Sequence, residues 1–298
     1  MVFVNPTAGS GRAVSYLPQI RSAFDAASVP AEFIFVGNGK ELELSAVAAI
    51  KNGKRILFAL GGDGTFQGLV NAAYGADVIL GVLPAGGGND FAAGLKLPEN
   101  PVAATQAVLR GQARRVDLAR ARTADGRARL YLGGGGLGID AEAARLANGA
   151  FRRLPGRARY VASALGAYCG HSPIGVRAEF PQGESPPIEA KALLAAVLNT
   201  PSYGAGIRLA PEARLDDGWL DVVIVGSLSV LQVLALLPRL LKSGKLRTPH
   251  IKRLRVRAVK FTTDRPCLFH GDGEILGPTP VEIEVVAGAV RVLEPQQC

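Results

Sequence analysis

Short apolar runs alternate with helical stretches through the first third of the chain. Val2–Val4, Phe33–Val36, Ile56–Leu60 and Val78–Val82 are too short for helices and read as buried strands. Around Val14–Ala27 and Glu41–Lys51 the apolar residues instead recur at helical spacing. Strand and helix in this rhythm predict a mostly parallel sheet covered by helices. After about Arg115 the pattern changes to strand-like runs separated by Gly and Pro: Leu130–Leu132, Ile174–Phe180, Ala192–Leu198, Leu220–Val225, Leu254–Phe261 and Val281–Val286. Such spacing predicts an antiparallel β-sandwich or barrel-like domain. Helices are expected near Arg157–Tyr168 and Val230–Leu241, and Ala289–Leu293 is available to return to the first domain. The expected fold class is therefore α/β plus β. A Rossmann-like domain over 1–115, which 289–298 can complete, precedes a β-rich domain over 116–288.

In parallel sheets of this kind, ligands bind beyond the carboxyl ends of the strands. Three glycine-bearing loops fall there: Asn5–Arg12, Gly61-Gly62-Asp63-Gly64-Thr65, and Pro84–Phe91. Glycine removes the Cβ that would hold a phosphate away, and successive N–H groups then converge on anionic oxygens. A lone Gly-Gly-x-Gly is equally an ordinary tight turn. Three such loops at equivalent strand ends are harder to credit to chance.

Composition narrows the ligand. A formal charge of +9, from 34 Lys and Arg against 25 Asp and Glu, suggests an anionic partner. Nucleic acid is not expected, because the basic residues are not interleaved with aromatic stacking positions and no nucleic-acid-binding signature occurs. A nucleotide or an anionic membrane surface fits better. With 48% hydrophobic residues the chain can bury a large core. No stretch reaches the roughly 18–20 uncharged apolar residues of a membrane span, since Gln232, Pro238 and Arg239 interrupt the nearest, Leu228–Leu241. The opening Met1-Val2-Phe3-Val4 has no secretory pattern, so a cytoplasmic location is expected. Cys169, Cys267 and Cys298 lack metal-ligand spacing and read as reduced thiols. His171, His250 and His270 form no ligand pattern, and only His270 draws interest through its neighbours.

Seven motifs in order carry a more specific reading: Asn5-Pro6 with its glycines, Gly61–Thr65, Asn89-Asp90-Phe91, Arg115-Val116-Asp117, Gly136–Ala141, Pro211–Gly218 and Asp272-Gly273-Glu274. In these motifs the chain resembles the diacylglycerol kinase catalytic-domain family, which includes bacterial lipid kinases and sphingosine kinases. The resemblance implies transfer of the ATP γ-phosphate to a lipid hydroxyl of the diacylglycerol, phosphatidylglycerol or sphingoid-base class. It also implies use of Mg²⁺ and an active site in the cleft between a nucleotide-binding and a lipid-binding domain. Asn5, Arg12, Gly61, Gly62, Gly64, Thr65, Gly87, Asn89 and Asp90 would then hold the nucleotide, and Asp63 would bind Mg²⁺ directly or through water. Glu274 would accept the proton of the lipid hydroxyl, with Asp272 beside it and their mutual repulsion raising one pKa. Asp117 would belong to the network around the metal or acceptor. The main-chain carbonyls of Arg214 and Trp219, with the Asp217 side chain, would hold a structural Mg²⁺. Taken alone, His270–Glu274 reads more readily as a polar hairpin tip, and Asp216-Asp217-Gly218 equally as a plain turn.

Three departures from the family pattern fall on the nucleotide side: Gln67-Gly68 where Asn-Glu is common, Gly87-Gly88 where Gly-Thr is common, and no threonine near Val36-Gly37. They motivate a second reading, a catalytically weak or inactive lipid-binding regulator. A third reading is an NAD kinase-like enzyme. A peripheral place at the inner face of an anionic membrane is expected from three features. These are the apolar helix Val230–Leu241 with Arg239, Lys242, Lys245 and Arg247 at its end, the alternating Arg253, Arg255 and Arg257, and the basic loop of Arg152, Arg153, Arg157 and Arg159. Burial of that helix in the core, and simple solvation of the arginines, are the plainer alternatives. Oligomeric state is left open.

Overall fold

The structure, a computed structural model, describes residues 1–139, 142–143, 146, 149–151, 162–163, 166–168, 172–204, 206–244 and 248–296. Most of the helix expected over Arg157–Tyr168, the basic loop from Arg152 to Arg159, Lys245, Arg247, Asp140, Cys169, His171 and Cys298 lie outside the described residues. The chain divides into two compact units, Met1–Val116 with Gly288–Cys298, and Asp117–Ala287.

The first unit runs β1 (Val2–Val4), α1 (Arg12–Ser15), α2 (Leu17–Ala26), β2 (Phe33–Phe35), α3 (Gly39–Lys51), β3 (Ile56–Gly61), α4 (Asp63–Ala73), β4 (Ile79–Pro84), α5 (Asp90–Gly94) and α6 (Pro101–Leu109). Strand β5 (Gln112–Thr123) then passes into the second unit. That unit holds β6 (Ala128–Tyr131), β7 (Gly134–Gly138), β8 (Ile174–Glu179), β9 (Ile188–Leu198), β10 (Leu220–Gly226) and α7 (Val230–Lys242). It continues with β11 (Ile251–Val256), β12 (Ala258–Thr263), β13 (Leu268–Gly271), β14 (Glu274–Pro278) and the first part of β15 (Val281–Glu294), whose end returns to the first unit.

In the first unit the strands lie in the order β2-β1-β3-β4-β15, all parallel. The apolar runs form the strands, and those inside the sheet are the most buried, while β2 at its edge leaves Phe35 exposed. Leu57, Phe58, Ala59 and Leu60 of β3 are all buried, as are Leu80, Val82 and Leu83 of β4. Helix α3 starts where Asn38 accepts the Glu41 N–H at 3.0 Å, and α6 where the Asn100 carboxamide accepts from Val102 and Ala103. Both are the capping chemistry that short polar residues offer a helix start.

The second unit is an antiparallel β-sandwich. The long strand β9 is its hub. Ile188–Ala192 pairs with β8, while Leu194–Leu198 pairs with β7 on one edge and β10 on the other. Strand β10 also pairs with β11, β8 with β12, β12 with β15, and β13 with β7 and β14. One apolar cluster gathers Tyr131, Leu137, Val176, Val197, Val222, Phe261, Phe269 and Ile283, and a second gathers Leu194, Leu198, Leu209, Ala213 and Val223.

Three sequence expectations change here. Leu254–Phe261 is two strands, broken at Arg257, whose N–H donates to Glu184 at 2.8 Å. The separate runs at 281–286 and 289–293 are one continuous strand. Gly134-Gly135-Gly136-Leu137-Gly138 is a strand although glycine is depleted in strands. Its bare backbone is needed because a Cβ on Gly135 would sit 2.7 Å from the Phe269 ring, and one on Gly134 would sit 2.5 Å from the Tyr203 ring.

Candidate functional site

In the first unit the three glycine-bearing loops are bound to one another. Asn5 donates from Nδ2 to the Thr65 hydroxyl at 2.9 Å, and its Oδ1 accepts from the Thr7 amide and hydroxyl. Asn89, in the left-handed region at φ 57°, closes the third loop by both accepting from and donating to Gly86 at 3.0 Å. Close approach explains the glycines. A Cβ on Gly86 would meet the Gly62 Cα at 2.5 Å, and one on Gly9 would meet the Ala85 carbonyl oxygen at 2.1 Å. Gly62 precedes the first turn of α4, which holds Asp63, Gly64 and Thr65, so helix N-terminal amides, favourable to anions, stand in this loop cluster. Gly87 lies between β4 and α5, and Arg12 is exposed at the start of α1.

Asp63 has a clear local job. Its Oδ2 accepts the Asp90 N–H at 2.9 Å and its Oδ1 accepts the Phe91 N–H at 3.2 Å. The carboxylate thus caps α5 from a distance in sequence, and the stacked Phe66 and Phe91 rings, 5.3 Å apart, pack the same two helices. The departure at Gln67-Gly68 has a packing cause. Gln67 is buried, and a Cβ on Gly68 would lie 3.3 Å from Leu42 Cδ2 of α3, so glycine there lets α4 seat closely against α3.

In the second unit, Asp272-Gly273 is the two-residue turn between β13 and β14. Both residues are left-handed, at φ 51° and 85°, the Asp-Gly mirror turn favoured in hairpins. The hairpin is tied down by Asp272. Its Oδ2 accepts from Leu132 at 2.7 Å, its Oδ1 accepts from Gly133 at 2.9 Å and Gly134 at 3.3 Å, and its own N–H donates to the Gly134 carbonyl at 2.8 Å. Asp272 is half-buried, and its carboxylate lies among those amides. Burial pushes its pKa up to about 6, against the three amides and His270, which favour the charged form. Glu274 follows as the first residue of β14 and is exposed as a residue, its carboxyl raised above the usual range by partial burial and opposed by Arg129. In both acids the cause is burial, so the mutual repulsion expected from their spacing is not what shifts them.

Asp117 is buried and holds the 215–218 loop: it donates its N–H to the Leu215 carbonyl at 2.6 Å and accepts the Gly218 N–H at 2.6 Å on Oδ2. Buried Asn199 locks both this strand and the Asp272 clamp by donating to the carbonyls of Asp117 and Leu132. Sequence reasoning missed Asn199, and its one signal was a carboxamide ending an otherwise apolar strand. It also missed Tyr203, whose hydroxyl meets His270 Nε2 at 2.8 Å with the rings stacked.

At the segment expected to hold a structural Mg²⁺, Asp217 Oδ1 accepts the Trp219 N–H at 3.1 Å, and Oδ2 pairs with the Arg255 guanidinium. The Arg214 side chain pairs with Asp216 at 3.3 Å. Asp217 thus already faces a cation, the Arg255 guanidinium, where the resemblance puts the Mg²⁺. The alternating arginines are likewise engaged within the unit. Arg253 donates to the carbonyls of Leu209 and Gly244, and Arg255 and Arg257 lie over the Trp219 ring at 5.6 and 4.8 Å.

Residues 1–121 match the family described as diacylglycerol kinase catalytic domain, and residues 135–294 match the YegS C-terminal NAD kinase beta sandwich-like domain. The chain is 30% identical to a diacylglycerol kinase of Mycobacterium tuberculosis over 98% of its length and 94% of that protein. The chain belongs to the diacylglycerol kinase catalytic-domain family. It is also 30% identical to a probable YegS-like lipid kinase of Chromohalobacter salexigens, over 94% of this chain and 90% of that one. A putative diacylglycerol kinase from Bacillus anthracis str. Sterne shares the fold with a TM-score of 0.77 at 21% identity, over 98% of this chain and 96% of that one. As a member of this family, the chain is a lipid kinase, a phosphotransferase.

Proposed function

We propose that the protein transfers the γ-phosphate of Mg²⁺-ATP to the hydroxyl of a membrane lipid, with Glu274 as the proton acceptor. The observation that carries this reading is the hairpin: Asp272 anchors the turn with three amides, and Glu274 leaves it with a carboxyl already raised toward the pH at which a base works best. Phosphoryl transfer asks a protein mainly for positioning and charge stabilisation. The first unit supports that demand through its interlocked loops. The amides of the Gly61–Thr65 segment receive the donor phosphates, Arg12 adds a positive charge, and Asn5, Gly87, Asn89 and Asp90 keep the loops in register. The Mg²⁺ that accompanies the nucleotide neutralises phosphate charge, and Asp63 is the carboxylate of this unit suited to meet it, while its two amide bonds hold α5 in place.

Helix α7 supports docking at an anionic membrane surface. It begins with a reciprocal cap, Ser229 accepting from Gln232 and Gln232 from Ser229. Its Leu231 is 79% exposed and Ala235, Pro238 and Leu241 are exposed along the same helix, with Arg239 and Lys242 in its last turn. The core-burial alternative therefore fails for this face, while Leu240 packs inward on the second apolar cluster. No helix among the described residues is long and apolar enough to cross a membrane. Incubation with labelled ATP, Mg²⁺ and vesicles of diacylglycerol, phosphatidylglycerol or sphingoid base, with NAD alongside, tests the reading. Label in a lipid supports it. Label in NAD, or in no acceptor, refutes it.

A further inference from the structure

The loop before β10 crowds acids together. Glu212, Asp216 and Asp217 lie within a few residues, and Asp221 of β10 is buried beside them. A cation beside carboxylates gathered this way stabilises their charged forms. Among the described residues, no set of three or more His, Cys, Asp or Glu side chains is arranged to hold a metal. The geometry does place a guanidinium there. Arg255 stands opposite Asp221 in the β10–β11 register, pairs with Asp217, and lies over the Trp219 ring at 5.6 Å. The loop is fixed from its other side as Gly218 donates to Asp117. A guanidinium suits this place because its planar fork pairs a carboxylate while its face stacks on an aromatic ring, which an ammonium does less well.

We propose that Arg255 is the built-in counter-ion of the Asp216-Asp217-Gly218 loop, standing where the family resemblance puts a structural Mg²⁺, so that this loop keeps its shape without a divalent cation. The claim concerns a site apart from the donor loops and Glu274, so its failure would leave the phosphotransfer reading untouched.

The test uses the full chain, treated with chelator and free of nucleotide. Bound Mn²⁺ is counted by electron paramagnetic resonance, and the melting temperature is read with and without millimolar Mg²⁺. Wild type and Asp217→Asn are expected to bind the same number of Mn²⁺ ions and to respond equally to Mg²⁺. Arg255→Gln is expected to melt lower, to gain one Mn²⁺, and to recover melting temperature when Mg²⁺ is added. A Mn²⁺ ion bound by wild type and lost in Asp217→Asn would overturn the proposal, as would an Arg255→Gln protein that melts like wild type. Should Arg255→Gln fail to fold, the comparison of wild type with Asp217→Asn still decides.

Discussion

Replacing Asp63 separates two roles that coincide in one carboxylate. In the structure it accepts the Asp90 amide at 2.9 Å and the Phe91 amide at 3.2 Å, with no ligand needed for either bond. A hydrogen bond to an ionised acceptor contributes about 1.5–3 kcal/mol net. Asp63→Ala removes both, so the first turn of α5 should open more easily by roughly 3–6 kcal/mol on that scale. Asp63→Asn keeps one carbonyl acceptor but turns an NH₂ toward the other amide, which places its cost at about half. Since domains are stable by about 5–15 kcal/mol, the alanine variant should still fold. The assay is amide hydrogen exchange at Asp90 and Phe91, without nucleotide or Mg²⁺. Exchange there is expected to speed up by at least about a hundredfold in Asp63→Ala, because each 1.4 kcal/mol is a factor of ten, and by less in Asp63→Asn. Unchanged protection together with lost nucleotide binding would refute the reasoning, by showing that Asp63 acts on the ligand alone.

The other predictions concern the same two units. Gly86→Ala places a Cβ 2.5 Å from the Gly62 backbone and 2.9 Å from Asn89 Oδ1; binding of a fluorescent nucleotide should be lost while circular dichroism stays close to wild type, and retained binding would show that the loops do not need this contact. Asp272 holds its proton more tightly when folded, its pKa moving from 3.8 to about 6. The folded state therefore binds more protons between those values. The stability this contributes is full below about pH 4 and is lost as pH rises through 6, on the order of 2–3 kcal/mol in all. Urea unfolding of wild type relative to Asp272→Asn should show that decline, and a rise with pH instead would mean that the three amides outweigh burial. Leu231→Glu should leave stability within about 0.5 kcal/mol, as for exposed sites generally, yet lower co-sedimentation with anionic vesicles; equal sedimentation would remove α7 from the membrane surface.

How much could be read from the sequence depended on whether a residue's role was local. The β–α alternation of the first unit was legible because Ile56–Leu60 and its counterparts are short continuous apolar runs, as strands inside a parallel sheet are. The glycines of the three loops were legible for the same reason, since a glycine needed for close approach is visible as a glycine. What those glycines touch was not visible: Gly86 meets Gly62, and Gly68 meets Leu42, across 24 and 26 residues. Strand β7 escaped because its packing is supplied by Phe269 and Tyr203, far along the chain, and not by its own side chains. The alternation of Arg253 and Arg255 marked strand β11, with Arg257 at the break after it, but solvent and partner look alike in such a pattern. Only the β10–β11 register reveals that Arg255 faces acids. The Asp-Gly hairpin was readable as a turn, whereas the inward direction of the Asp272 carboxylate follows from amides some 140 residues away.

The central claim is that Glu274 takes the proton from a lipid hydroxyl while the first unit holds the nucleotide. It is tested most directly by measuring transfer of label from ATP to diacylglycerol-containing vesicles, with ATP affinity determined on the same preparations of wild type and Glu274→Gln. Loss of a general base costs about 10²–10⁴ in rate. Turnover is expected to fall within that range with ATP affinity unchanged. Turnover equal to wild type would contradict the account.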